Sequence, residues 1–311
     1  MSRRAVTLVE ILVVLGIISV MMSLLLPAAQ AIRERARNVA CQNQLRQIGI
    51  AITDHESSFK HIPAGGWGYR WVGDATKGFG PQQPGGWIFN TLPFLESGVV
   101  RDHAVSSSIR YKAIALTQPL PAFVCPSRST ASPTPYLGIT TLHNADRPQL
   151  SFKADYAGNG GDQHLPNGPG PESEQLSDLK RYAWPHMQAT GVFFARSQTK
   201  FRDVSDGLSN IYFVGEKYVR TTPSQTSEQR DLGNDQAALI GDDHDIRRWC
   251  STNPRWDNYY DSADSFGSRH PYGWNALLGD GSIHQISFYI ELKAHQALGN
   301  RRDGSHAVLQ F

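Results

Sequence analysis

A run of 21 residues from Val6 to Leu26 is apolar throughout except for Thr7, Glu10, Ser19 and Ser23, with Gly16 neutral. As a helix it measures about 31 Å at roughly 1.5 Å per residue, close to the ~30 Å hydrocarbon thickness of a bilayer. A secretory signal peptide is the competing reading, yet its apolar region usually covers only about 7–15 residues and ends at a small-x-small cleavage site. Pro27-Ala28-Ala29-Gln30-Ala31 has the composition of such a site. Glu10 argues for the membrane helix, because a carboxylate at full depth costs about 2.5–3.5 kcal/mol and is retained where it has a task. The simplest way to satisfy it is to reach back toward the headgroups from the helix start.

The periodicity predicts that the helix continues beyond the apolar run. Pro27 kinks a helix without having to end it. After it, Ala28, Ile32, Ala36 and Val39 recur at helical intervals, followed by Cys41, Leu45, Ile48 and Ile52. Arg33, Arg37, Asn43, Gln44 and Gln47 occupy the other side, so the segment reads as an amphipathic arm reaching about His55 or Phe59. Such a stripe is a packing surface. The sequence therefore divides into a short basic start (1–5), a membrane span (6–26), an arm (27–60) and a head (61–311).

Of the 28 Gly and 18 Pro, most fall after residue 60, which predicts a head of turns and strands rather than helices. The fold class expected is α+β: a long N-terminal helix packed on a mainly antiparallel sheet with long loops. Strand character is read at Phe123 to Ser127, Ala154 to Asn159, Gly191 to Phe194 and Ile211 to Glu216. Asn275 to Leu278 and Ser282 to Ile286 form a hairpin across Gly279-Asp280-Gly281, whose glycines allow positive φ. Thirty Lys plus Arg against 28 Asp plus Glu leave a charge of +2, without the basic excess of a nucleic-acid-binding protein. Cys41, Cys125 and Cys250 are too few and too far apart for a disulfide scaffold or a paired-thiolate zinc site. One bridge with one thiol left over and three buried free thiols both fit, and the spacing does not choose a pair.

His270 and Asp280 stand ten residues apart around the first hairpin strand, a separation that lets a general base meet a carboxylate. No serine nearby lies in a nucleophile motif, so the expectation is that His270, Asp280 and Gly281 fix the turn through backbone bonds. Asp242, Asp243 and Asp245 cluster as weak calcium ligands, although they match no known loop spacing. An acidic surface turn paired with Arg247 or Arg248 is the plainer reading. His143, His164 and His186 show no ligand spacing, and neither a phosphate-binding loop nor a His-Glu-x-x-His helix is present. No cofactor, no metal and no enzyme class follow. Trp67, Trp71 and Trp87 lie in glycine-rich loops and offer stacking faces for a glycan if they are exposed.

Ala5-Val6-Thr7-Leu8-Val9-Glu10-Ile11-Leu12-Val13-Val14 resembles the cleavage and methylation motif of type IV prepilins and type II secretion pseudopilins. The resemblance implies cutting between Ala5 and Val6 by a prepilin peptidase and N-methylation of Val6. It also implies an assembly role for Glu10, pairing with the freed amino group of a neighbouring subunit, since neither charge is tolerable alone in low dielectric. His270 and Asp280-Gly281 resemble the C-terminal His-x9-Asp-Gly signature of prepilin-like proteins grouped as domain of unknown function 1559. Cys41 to Ile52, Cys125-Pro126-Ser127, Tyr156 to Asn159 and Asp206 to Asn210 fit that group too. The partners implied are the peptidase, other pilin-like subunits and membrane lipid. Arg33, Arg35, Arg37 and Arg46, partly offset by Glu34, outnumber Arg3 and Arg4 across the span and by charge alone favour the inverted topology. The resemblance implies the other: a single-pass protein of the inner (cytoplasmic) membrane with a cytoplasmic N terminus and an extracytoplasmic head. A membrane-anchored binding domain that does not polymerise is the alternative from another class.

Overall fold

The structure is a computed structural model that describes residues 7–104, 108–128, 131–138, 141–172, 176, 179–184, 189–221, 231–258 and 263–305. Ala5, Val6 and His186 lie outside the described residues. Helix α1 (Leu8–Phe59) runs without interruption for 52 residues, with Pro27 inside it. Thr7 caps its start: Thr7 Oγ1 accepts the Glu10 N–H at 3.3 Å, and Glu10 Oε2 accepts the Thr7 N–H at 2.8 Å. This reciprocal box satisfies two backbone donors that a helix end otherwise leaves open. The far end stops at Lys60, which takes a left-handed φ of 64°, two residues before Ile62-Pro63 disfavours helix.

Short helices α2 (Trp87–Thr91), α3 (Gly98–His103) and α4 (Ile109–Ala115) follow, and α5 (Leu292–Gly299) closes the fold. The strands are β1 (Thr134–Pro135), β2 (Leu150–Ser151), β3 (Tyr156–Asn159), β4 (Tyr212–Glu216), β5 (Arg247–Arg248), β6 (Arg255–Trp256), β7 (Gly267–Ser268), β8 (Trp274–Leu278) and β9 (Ile283–Ile286). Five of them make the central sheet in the order β5-β3-β4-β8-β9. All its pairings are antiparallel except β3 with β5 at the edge. The hairpin is β8 and β9, with Trp274 opposite Ile286 and Leu277 opposite Ile283.

The period of two along β8 sorts its side chains onto two faces. Leu277 meets α1 and joins the larger core with Leu45, Ile48, Ile52 and Val214, whereas Trp274, Ala276 and Leu278 join Tyr212, Phe266, Cys250 and Leu298 under α5. Helix, sheet and helix thus form three layers. Gly49 permits the close approach of α1, because a Cβ there would lie 2.9 Å from Leu277 Cδ1. Only the last third of α1 is seated in this way: Cys41, Leu45, Ile48, Ala51, Ile52 and His55 are buried, while Ala28, Ile32, Ala36 and Val39 are exposed. The stripe expected to dock from residue 28 therefore docks from residue 41.

Two of the expected strands are turns. Pro121–Phe123 is a 3-10 turn, and the Cys125 N–H goes to the Asp155 carboxylate at 2.8 Å instead of to a ladder. At Gly191 to Phe194, the N–H groups of Val192 and Phe193 both donate to Asn159 O at 3.0 Å, wrapping the chain around the end of β3. β-type side chains at both places serve burial without a neighbouring strand.

Candidate functional site

Where α1 enters the head, one face of the helix carries polar groups into a buried cluster. Glu34, Asn38, Cys41 and Gln42 follow the spacing that places side chains on a common side. Glu34 Oε1 accepts from His270 Nδ1 at 2.6 Å, and both its oxygens accept from Ser127 Oγ at 3.0 Å. Asn38 Oδ1 accepts from Asn275 Nδ2 at 2.7 Å, and Gln42 Nε2 donates to Asn275 Oδ1 at 3.2 Å. Tyr156 OH donates to Gln44 Oε1 at 2.8 Å. Cys41 Sγ lies 2.7 Å from Cys125 Sγ, and Cys125 Sγ lies 3.6 Å from His270 Nε2.

Behind this seam the head is wired to hold its side rigid. Glu216, at the end of β4, is fully buried and takes the Asn275 N–H on Oε2 at 2.7 Å, while its Oε1 faces His270 Nε2 at 3.2 Å. Arg128 fills its donors with Asp257 Oδ2 at 2.8 Å, Asp257 Oδ1 at 3.1 Å, Asp155 Oδ1 at 3.2 Å and Lys217 O at 2.7 Å. Asp155 in turn holds the Cys125 backbone. The Cys125-Pro126-Ser127 segment is thereby presented to the arm, with Cys125 facing Cys41 and Ser127 facing Glu34.

Charge follows from this geometry. Burial opposes the charge on His270, but hydrogen bonds to Cys125 and Glu216 and the Glu216 carboxylate outweigh it and lift its pKa to about 11. Burial likewise opposes ionisation of Glu34, which the hydrogen bonds from His270, Arg37 and Ser127 reverse, so its carboxyl titrates below the usual range. For Glu216 burial is again overcome by His270, Arg128 and the Asn275 N–H. At neutral pH the seam is thus a carboxylate–imidazolium–carboxylate chain from the arm to the head. The hydrogen-bond contact with Cys41 and, after it, burial push the Cys125 thiol up.

The expectation that His270 fixes the hairpin turn is corrected by these contacts. His270 reaches Glu34, 236 residues away in sequence, and stands at the opposite end of β8 from Asp280. Asp280 and Gly281 do make the turn: Asp280 Oδ1 accepts the Ser282 N–H at 2.9 Å and its hydroxyl at 2.6 Å, and Gly281 has φ 86°. The structure does not bring His270 and Asp280 together. Glu34, taken from the sequence as a charge offset, and Glu216, not singled out at all, are the residues that sequence reasoning missed.

Asp242, Asp243 and Asp245 are buried and do not form a surface turn. Asp242 Oδ1 pairs with Arg247 Nε at 3.2 Å, whereas Asp243 and Asp245 converge with Asp235 beside Lys217. Burial raises the Asp242 and Asp245 carboxyls to about 6. Each of the three brings one carboxylate oxygen within 4.8 Å of the others, and calcium, which takes six to eight oxygens, would need both oxygens of each or further ligands. His164 Nε2 meets His244 Nε2 at 3.3 Å, an N–H···N contact between residues 80 apart that no local spacing reveals. Cys41, Cys125, Glu216 and His270 have the composition of a zinc site. The sulfurs do not fit one: two thiolates on a tetrahedral zinc stand about 3.8 Å apart, against 2.7 Å here. Trp67, Trp71 and Trp87 are buried, at 4%, 6% and 0% exposure, so they offer no stacking platform.

A family model described as "Protein of unknown function (DUF1559)" matches residues 30–293, most of the chain. The chain belongs to the DUF1559 family. No curated protein and no solved structure matches it. In this DUF1559 protein the matched segment opens inside α1, takes in the whole clamp from Glu34 to Asn275, and leaves the apolar start of the helix and its Glu10 outside.

Proposed function

We propose that this chain is a pilin-like envelope subunit, cut between Ala5 and Val6 by a prepilin peptidase, methylated at Val6, and assembled through its N-terminal helix in a type II secretion or type IV pilus-like system. The observation that carries this reading is the division of α1. An 18-residue apolar window near its N terminus has no residue buried in the protein, while the same helix, unbroken, is seated in the head from Cys41 onward. By length and composition such a helix suits a single-pass anchor or a signal sequence. A helix used only to cross a membrane needs no rigid continuation through Pro27 into a polar clamp, whereas a subunit that stacks by its helix must transmit helix position to the head. In this reading the head is extracytoplasmic, the helix lies among lipids and neighbouring helices, and the protein performs no catalysis.

Glu10 supports assembly by its chemistry. Among the described residues it is held by Thr7, through the Thr7 N–H at 2.8 Å and the hydroxyl at 2.9 Å, and a carboxylate with two such bonds keeps capacity for a neighbour's ammonium group. A cysteine placed by Leu15→Cys, in membranes containing the peptidase, is expected to give helix–helix cross-links that fall at least tenfold in the Glu10→Ala background. Cross-linking that is absent in both, or equal in both, contradicts assembly through this helix and favours the anchored monomer.

A further inference from the structure

The two sulfurs at the arm–head seam are closer than any packing of thiols requires. Cys41 projects from the first buried turn of α1 and Cys125 from the loop that Asp155 fixes, and their Sγ atoms stand 2.7 Å apart at 0% and 1% residue exposure. The bond they would form is about 2.0 Å long. Cys250 is remote from both, packed against Gly299 under α5, where a Cβ on that glycine would meet Cys250 Sγ at 2.8 Å. We propose that Cys41 and Cys125 are a disulfide pair that fastens the arm covalently to the head, and that Cys250 stays a thiol. The inference rests on the extracytoplasmic placement of the head proposed above, because such bonds persist in oxidising compartments.

The chemistry is thiol–disulfide exchange with a donor disulfide, either that of a dithiol oxidase or oxidised glutathione. One cysteine thiolate attacks the donor, forming a mixed disulfide and releasing one donor sulfur. The other cysteine then attacks the mixed disulfide, forming the Cys41–Cys125 bond and releasing the second donor sulfur. Two electrons pass to the donor, and the two protons lost by the cysteines end on its two sulfurs. Because both cysteines are buried once α1 is seated, the donor reaches them only while the arm is undocked. Docking and bond formation are therefore coupled, and the closed bond is shielded from reductants afterwards.

The consequence concerns the helix as a lever. Hydrogen bonds from Glu34, Asn38 and Gln42 set the angle at which α1 leaves the head, and a covalent link at residue 41 makes that angle permanent under load. A pull on the membrane half of α1 is then borne by the chain itself at the seam.

The test uses the full chain, purified in detergent, reduced and unfolded in urea, and refolded by dilution into a mixture of oxidised and reduced glutathione, so that the arm docks in the presence of the donor. It is then unfolded in guanidinium, its free thiols are capped with a maleimide, and the caps are counted by intact mass. One cap is expected, mapped to Cys250, with the peptides holding Cys41 and Cys125 separating only after reduction. Cys250→Ser, which does not touch the pair, is expected to leave none. Three caps in the wild-type chain, or a link that includes Cys250, overturns the pairing. Acid trapping in cells separates the two readings: a bond that glutathione closes in vitro but that is open in cells contradicts the extracytoplasmic head and leaves the pairing standing.

Discussion

His270 is the residue on which the arm and the head depend together. Its ring lies between Glu34 on the helix and Glu216 on β4, both within 3.2 Å. Removing one member of a buried ionic group leaves the others uncompensated, which typically costs about 3–5 kcal/mol. His270→Ala is therefore expected to lower head stability by about 3 kcal/mol or more in urea unfolding. Asp280→Ala removes turn hydrogen bonds at an exposed loop and should cost only about 1 kcal/mol. Equal effects at the two positions would contradict their separation into clamp and turn. The pH dependence follows from the same charges. Glu34 and Glu216 are depressed in the folded state, so their contribution is present above the ordinary carboxylate range and is lost as pH falls below it. His270 is raised, so its contribution is full below about 6.5 and is lost as pH rises through about 11. Proteolysis within residues 34–42 is expected to accelerate below about pH 4, and Glu34→Gln should flatten that acid limb. None of this was legible locally: the sequence shows Glu34 as one charge among arginines and His270 as a neighbour of a turn, and only the fold joins positions 236 residues apart.

At the scale of the element, α1 was readable from an unbroken apolar run followed by a stripe at helical spacing, and the β8–β9 hairpin from two short strands joined by a glycine turn. The turn glycine Gly281 has the positive φ its position demands. Periodicity does not tell which partner an apolar face meets. Ile32 and Ile48 belong to one continuous stripe in the sequence, yet Ile32 is 66% exposed and Ile48 is fully buried. Leu45→Ala should accordingly cost about 2–5 kcal/mol through the cavity left against the sheet. Ile32→Ala should leave head stability within about 0.5 kcal/mol and act, if anywhere, on contacts outside the head. A large loss of stability in detergent from Ile32→Ala would mean that the head extends further along the helix than its burial indicates. The misread strands at Phe123 to Ser127 and Gly191 to Phe194 show the same limit. Aromatic and β-branched residues fit a buried turn as well as a ladder when backbone donors find Asp155 or Asn159 instead.

For the whole molecule, the α+β head serves as a mount for a helix whose apolar end it leaves bare. Membership of the DUF1559 family establishes what the matched region is akin to, and the clamp explains how that region grips the helix. The apolar start with Thr7 and Glu10 lies outside the match and is the segment on which the envelope-subunit reading turns. If the seam disulfide closes a loop of this length, its reduction is expected to lower stability by about 2–4 kcal/mol, read as a shift of the urea midpoint with and without reductant. The most direct measurement is the intact mass and N-terminal sequence of the chain made together with a prepilin peptidase, for wild type and Ala5→Leu. A mature chain beginning at methylated Val6, lost in Ala5→Leu, is the result the account requires. An uncut Met1, or a chain beginning after Ala29 or Ala31, would contradict it.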